Sequence, residues 1–466
     1  MSRPLLVQER RERAAPLLYF YSSVFWLIVG AAAGALLAFA AVNPFLLQGT
    51  PLTYGRLQPA YTGILIFGWL SMALMGFALY VTPRLTRVPL RHEGLARAGA
   101  WLQNVAVAAG SLGVLGGSTT GRMYAEWVPP VAILWLLGLV AAGYALLANM
   151  RERDGDELDV SLWYFGGAVI WMVALQLFGG GLGSRTAAAG GFGDALLNWF
   201  YARGLFGLWL GMMALGVVYF LAPRLVGRPV YSLRLAALAF WGMAALYPVT
   251  GSHLMAEPVP AWMRQAAVVL GLLLVVPVWA LFTNLFRTVE GQWGRLWGSP
   301  AGRFLALGLV LTFCLWVKTV VQLVPAVSEA LQFTYWSAAY DQLALLGAFT
   351  FVAFAGVYEA VPRLTGRSWV SDSLTGLHFW LSAVGVVLMA TALARAGLVQ
   401  GGGWAAGMAF DRVLEAVRPH LVTGAWAALL VILGQLAFAY NLVKTATSDR
   451  SVTPAPDLPG LPGEAT

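Results

Sequence analysis

Apolar stretches long enough to cross a membrane follow one another along almost the whole chain. Twelve windows stand out, at about residues 17–42, 58–82, 97–118, 128–149, 160–183, 195–222, 232–255, 262–286, 303–325, 333–361, 375–398 and 419–443. At a rise of about 1.5 Å per residue, roughly 20 helical residues cover a hydrocarbon core of about 30 Å. The windows therefore read as twelve transmembrane helices. Composition agrees, with 59% hydrophobic residues, 11% charged residues and a mean hydropathy of +0.72, which excludes an ordinary soluble domain.

An even number of spans puts both termini on one side, and the basic residues indicate which. Of 29 Lys and Arg residues, 20 fall in the two tails and the loops on their side, such as "PRLTRVPLRHEGLAR". Both termini are therefore expected to be cytoplasmic, in a bacterial or archaeal-type cytoplasmic (inner) membrane. Residues 1–16 read as a basic tail, 17–445 as one twelve-helix domain, and 446–466, "SDRSVTPAPDLPGLPGEAT" with its lead-in, as a Pro-rich disordered tail. The net charge of +8 is spread over short loops, which points to orientation and lipid headgroups, with no nucleic acid partner. Cys314 is the only cysteine, so a disulfide framework and a C-x-x-C-H haem attachment are both excluded.

Three segments repeat: "ALYVTPRLTRVPL" around Pro83, "VVYFLAPRLVGRPVY" around Pro223 and "GVYEAVPRLTGRSWV" around Pro362, with prolines 140 and 139 residues apart. Each follows a span at its cytoplasmic end, where the proline is expected to stop the helix and the arginine to reach interfacial water. Four helices used three times predict a pseudo-threefold bundle with helices two, six and ten in equivalent positions. Counted back from these prolines, Tyr61, Arg203, Tyr340 and Gln342 share one layer toward the outer side of the membrane. Tryptophan-bearing segments such as "EWVPP" and "GQWGRLW" read as interfacial belts, and Glu359 with Arg363 as a surface ion pair.

The chain resembles the catalytic subunit I of haem-copper oxidases, and most of all the C-family (cbb-type) cytochrome c oxidases and the related nitric oxide reductases. "LTYGRLQPAYTGILIFGWL" resembles the second helix of that family and "RPVYSLRLAALAFWGMAALYPVTGSHL" its seventh. "FTYWSAAYDQLALLGAF" resembles the tenth, while "LHFWLSAVGVVLMATALARAGLVQGGGW" and "VRPHLVTGAWAALLVILGQLAFAYNLVKT" resemble the last two. The resemblance implies the twelve-helix subunit I fold, haem and copper or non-haem iron held by six histidines, and a membrane-anchored cytochrome c or other respiratory subunit as partner.

At the positions that match those histidines this sequence departs from the family. The low-spin haem ligands are represented by Tyr61 and Gln342, the high-spin haem ligand by Tyr340, and one copper or iron ligand by Arg203. The His-His pair of the seventh helix becomes His253 and Leu254, or Ser252 and His253 if the register shifts by one. Tyr247 matches the tyrosine that C-family oxidases cross-link to a ligand histidine. A phenol that ionises near pH 10, an amide, an aliphatic chain and a permanent cation do not replace imidazoles. No cofactor or metal is therefore expected, and the sequence reads as a degenerate homologue acting as a scaffold in a respiratory assembly. Two other readings stay open. One is an active oxidoreductase in which Tyr340 ligates haem b. The other is a proton or ion conduit or transporter through a polar pocket of Arg203, Tyr247, Ser252, His253, Lys318, Tyr340, Asp341 and Gln342. Asp341 is expected to pair with Arg203 or Lys318.

Overall fold

The computed structural model describes residues 3–180, 191–255 and 259–448; the expected C-terminal tail lies, from residue 449 onward, outside the described residues. Twelve helices among these residues are long and apolar enough to span a membrane. They are α1 (Arg13–Val42), α2 (Tyr54–Thr86), α3 (Glu93–Leu115), α4 (Pro129–Arg151), α5 (Val160–Phe178) and α6 (Phe192–Val226). The second half comprises α7 (Leu233–Leu254), α8 (Ala261–Val289), α9 (Pro300–Val321), α10 (Tyr335–Thr365), α11 (Asp372–Ala405) and α12 (Phe410–Thr447). The chain is an all-helical, multi-pass membrane protein, and the expected spans match these twelve elements one for one, although α11 runs on to Ala405 and α12 begins at Phe410, well beyond the expected 398 and before the expected 419.

The threefold repeat is visible in burial. All of the apolar window of α2 and 94% of those of α6 and α10 are buried, against 33–61% for the other nine helices. These three helices pack against one another at the centre. Each contains one widened π-helical turn, at Ile64–Leu70, Leu205–Gly211 and Leu343–Phe349, which frees main-chain carbonyls from the usual i−4 pairing. Side-chain hydroxyls take up two of them. Ser71 Oγ donates to the Ile66 carbonyl at 2.7 Å and Thr350 Oγ1 to the Leu345 carbonyl at 2.6 Å.

The same hydroxyls join the helices. Trp209 Nε1 of α6 donates to Ser71 Oγ of α2 at 2.8 Å, and Trp69 Nε1 of α2 donates to Thr350 Oγ1 of α10 at 2.8 Å. In the proline register Trp69 and Trp209 align with Ala348, while Ser71 and Thr350 align with Gly211. The third link, from α10 to α6, therefore has neither donor nor hydroxyl. Trp69, Trp135 and Trp209 are among the largest fully buried side chains. Trp127 of "EWVPP" is also buried, with its ring 4.6 Å from that of Phe67. These tryptophans are core rather than interfacial belt.

The repeat motif itself works differently from its sequence reading. Pro83, Pro223 and Pro362 lie inside the last turns, and the helices continue to Thr86, Val226 and Thr365. The next residue, Arg87, Gly227 or Gly366, turns left-handed with φ between 56° and 68°, and that reversal ends each helix. The arginines fold back along the helix instead of reaching outward. Arg84 and Arg224 lie 3.9 and 4.1 Å from the ring centroids of Tyr80 and Phe220, and Arg363 bonds Glu359 at 2.6 Å. The last pair is largely buried, with 13% and 10% side-chain exposure, so it is not a surface ion pair.

Candidate functional site

The polar residues of the outer layer divide between two cavities. One, of about 90 Å³, lies among α1, α2, α10, α11 and α12 and is lined by Tyr61 and Gln342 together with apolar residues such as Met389 and Leu421. Tyr61 donates its hydroxyl to Gln342 Oε1 at 2.7 Å. The two residues matched to low-spin haem ligands thus meet, and they bond to each other.

The other cavity, of about 140 Å³, lies among α6 to α10, and Arg203, Tyr247, His253, Leu254, Lys318, Tyr340 and Asp341 all line it. The α-helical part of α7 stops at Leu246, and two 3₁₀ turns, Tyr247–Val249 and Ser252–Leu254, carry the chain around Arg203. Arg203 donates from Nη2 to Thr250 Oγ1 at 3.1 Å and lies 4.8 Å from the Tyr247 ring centroid. Gly251, with φ of 92°, passes so close beneath that any Cβ there would overlap the Arg203 side chain. His253 Nε2 lies 3.2 Å from the Gln322 carbonyl. A carbonyl only accepts, so Nε2 is the protonated nitrogen. Ser252 bonds the Met263 carbonyl at 3.3 Å and is not on the cavity wall. Of the eight residues expected to form one network, Gln342 therefore belongs to the neighbouring cavity and Ser252 to neither.

Asp341 is not ion-paired with Arg203 or Lys318. It accepts a 2.7 Å hydrogen bond from the hydroxyl of Tyr124, a residue of the loop between α3 and α4. Lys318 places its ammonium 3.9 Å from the Tyr340 ring centroid, a cation–π contact. The loop is fastened where Arg122 bonds Asp194 at 2.7 Å and the Gly179 carbonyl at 3.0 Å. Asn198 and Met123 exchange two further bonds of 3.0 Å. With these anchors fixed, Tyr124 is held at φ of 57°, a left-handed conformation that costs about 1–2 kcal/mol for a residue with a Cβ. The strain places its hydroxyl on Asp341.

Tyr124 was not legible as a site residue, because a tyrosine in a polar loop carries no periodicity; the nearby "GRM" and the buried Trp127 are its only sequence signals. Replacing Tyr124 with Phe keeps the ring and removes the donor, leaving a half-buried carboxylate short of one partner. A hydrogen bond to a charged group contributes about 1.5–3 kcal/mol. The expected loss for Tyr124→Phe is about 2 kcal/mol of unfolding free energy, read by denaturant titration in detergent, while Tyr124→Phe on an Asp341→Asn background should cost less.

The sequence profile of the family described as "Cytochrome C and Quinol oxidase polypeptide I" matches residues 14–447. The chain belongs to this family. This polypeptide I homologue is 28% identical over 439 residues to the cbb3-type cytochrome c oxidase subunit CcoN1 of Stutzerimonas stutzeri, covering 91% of this chain and 92% of that one. It is 27% identical to a cytochrome c oxidase subunit 1 homolog of Agrobacterium tumefaciens, covering 91% and 82%, and 29% identical to cytochrome c oxidase subunit 1 of Rhodobacter capsulatus, covering 91% and 84%. Among solved structures, a heme-copper terminal oxidase dimer determined by cryo-EM superposes with a TM-score of 0.74 at 14% identity, covering 98% of this chain and 86% of that one. The resemblance read from the helix motifs, and the twelve-helix subunit I fold, both hold.

Membership corrects one expectation. The family is that of the haem-copper oxidase subunit I, whose members hold haem and copper, so the inference that no cofactor is expected, with haem b only as an alternative, is overturned by the family match and its oxidase relatives. The side chains described here nevertheless do not fit the imidazole ligation that the resemblance implies. Tyr61 and Gln342 satisfy each other, Arg203, matched in the sequence to a metal ligand, is a cation bonded to Thr250, and His253 donates its Nε2 proton to a backbone carbonyl. Among the described residues, no group of three or more His, Cys, Asp or Glu converges at metal-binding distance. No reaction step is derived through either group.

Proposed function

We propose that this polypeptide I homologue acts as a membrane scaffold subunit of a respiratory electron-transfer assembly, with a membrane-anchored cytochrome c-type or other respiratory subunit as its neighbour. It would lie in the cytoplasmic membrane with both termini on the cytoplasmic face, as the loop arginines favour. The observation that carries the reading is Arg203. It is held by Thr250, Tyr247 and the close approach of Gly251, so a permanent cation is built into the position that matches a metal ligand, and a cation there repels a metal ion. Relatives named as subunits of cytochrome c oxidases support the assembly context.

Purification from native membranes in mild detergent tests the reading. A subunit carrying covalent haem should migrate with the chain on native gels and should fall in abundance in membranes lacking it. Oxygen or nitric oxide reduction by the isolated chain, with reduced cytochrome c as donor, would overturn the scaffold reading. A second reading, a proton or ion conduit, draws on the Tyr124–Asp341 bond on the wall of a cavity that Lys318 also lines. It requires flux in proteoliposomes that Asp341→Asn abolishes.

A further inference from the structure

The larger cavity presents donors that no protein acceptor meets. Arg203 Nε, Trp199 Nε1 and Gln322 Nε2 are buried without hydrogen-bond partners, and all three residues line it. Each of these nitrogens donates and none accepts. The Lys318 ammonium adds three more donors and lies over the face of Tyr340. Asp341, the one carboxylate on the wall, is already engaged by Tyr124. The lining therefore carries two cations against one anion inside the membrane, where an uncompensated charge is costly and needs a partner.

We infer that this cavity binds a small oxyanion. Its size suits one: a cavity of about 140 Å³ has room for an anion with part of its hydration shell. Planar or tetrahedral oxygens match the guanidinium edge of Arg203, and the ammonium of Lys318 supplies a second charge-assisted contact. His253 offers a buried acceptor without a partner. With Nε2 donating to the Gln322 carbonyl, Nδ1 keeps its lone pair, so an anion bearing one hydroxyl, or arriving with a bound water, can meet it as well as the unpartnered donors. The same chemistry is carried by the headgroup of an anionic phospholipid, which the apolar α8 side of the cavity, with Leu274, Val275 and Val278, would accommodate. This site does not depend on the scaffold reading, because binding is measured on the isolated chain.

The test is calorimetric titration of the delipidated, purified full chain with sodium phosphate, sodium nitrate and dihexanoyl phosphatidic acid at constant ionic strength. Saturable binding of phosphate or nitrate assigns the site to a free oxyanion; binding of the phosphatidic acid alone assigns it to a headgroup. In either case Lys318→Met and Arg203→Gln should each weaken binding at least tenfold, Lys318→Arg should restore most of it, and Arg412→Gln, an exposed residue of α12 that does not line the cavity, should leave it unchanged. Should Arg203→Gln fail to fold, the Lys318 pair decides alone. No saturable binding of any of the three probes, or equal binding by Lys318→Met and Arg412→Gln, overturns the inference.

Discussion

Truncating Trp69 to alanine is expected to lower the unfolding free energy by about 3–5 kcal/mol, the range for removing a buried aromatic from a packed core. Trp69 is fully buried, its indole donates to Thr350, and its ring lies 5.1 Å from that of Phe354. The cavity left by the ring and the loss of the α2–α10 link therefore fall on the same three-helix centre. Trp69→Phe separates the two effects: it keeps most of the volume and should cost about 1–2 kcal/mol, the value of a buried bond whose acceptor retains its own donor role to Leu345. Trp101→Ala, with a ring 62% exposed on the outer face of α3, should change stability by no more than about 0.5 kcal/mol. Equilibrium unfolding in mixed SDS and maltoside micelles reads all three. Equal losses for Trp69→Ala and Trp101→Ala would mean that the central contacts do not set the stability of the bundle.

The extent to which the sequence disclosed this fold follows from which signals are one-dimensional. Hydropathy along the chain locates spans because lipid imposes length and apolarity residue by residue. The spacing of Pro83, Pro223 and Pro362 exposes the repeat because a pseudo-threefold bundle needs helices of equal length. The π-turns were hidden: in two of them the hydroxyls of Ser71 and Thr350 bond carbonyls five residues back, the third forms with Gly211 at that position, and serine and threonine occur in many helices without marking such a turn. Asp341 illustrates the limit for the site. Its charge and depth were legible, but its partner was sought among the cations of the same layer, whereas the structure supplies a phenol from a loop 217 residues away in sequence. The absence of histidines at Tyr61, Arg203, Tyr340 and Gln342 was also legible. What that absence says about cofactors was not, because ligand loss at matched positions is a statement about particular side chains and family membership is a statement about the whole chain.

The loop that brings Tyr124 to Asp341 should also make stability depend on pH through Glu126. Its carboxyl lies outside the spans and is pushed up by burial from 4.5 to about 7, only partly offset by the main-chain N–H of Tyr124, which donates to Oε1 at 3.0 Å. Because the folded value lies above the unfolded one, between about pH 4.5 and 7 the folded chain holds a proton that the unfolded chain has released. Stability therefore falls as pH rises through this window and is level above it. The difference corresponds to at most about 3.4 kcal/mol at 1.36 kcal/mol per unit. Glu126→Gln keeps an oxygen for the Tyr124 N–H and removes the charge. The variant should match the parent near pH 4.5 and exceed it by about 2–3 kcal/mol at pH 8, as read from denaturant midpoints at the two values. Other titrating groups move both proteins together, so the difference between them isolates Glu126. A parent and a Glu126→Gln variant with identical pH profiles would show that the loop tolerates the ionised carboxylate. If the profiles diverge as expected, ionisation of Glu126 strains the segment that holds Tyr124 in its left-handed conformation, and amide exchange of the Tyr124 N–H should quicken above pH 7 by more than the intrinsic base catalysis seen in the Gln variant.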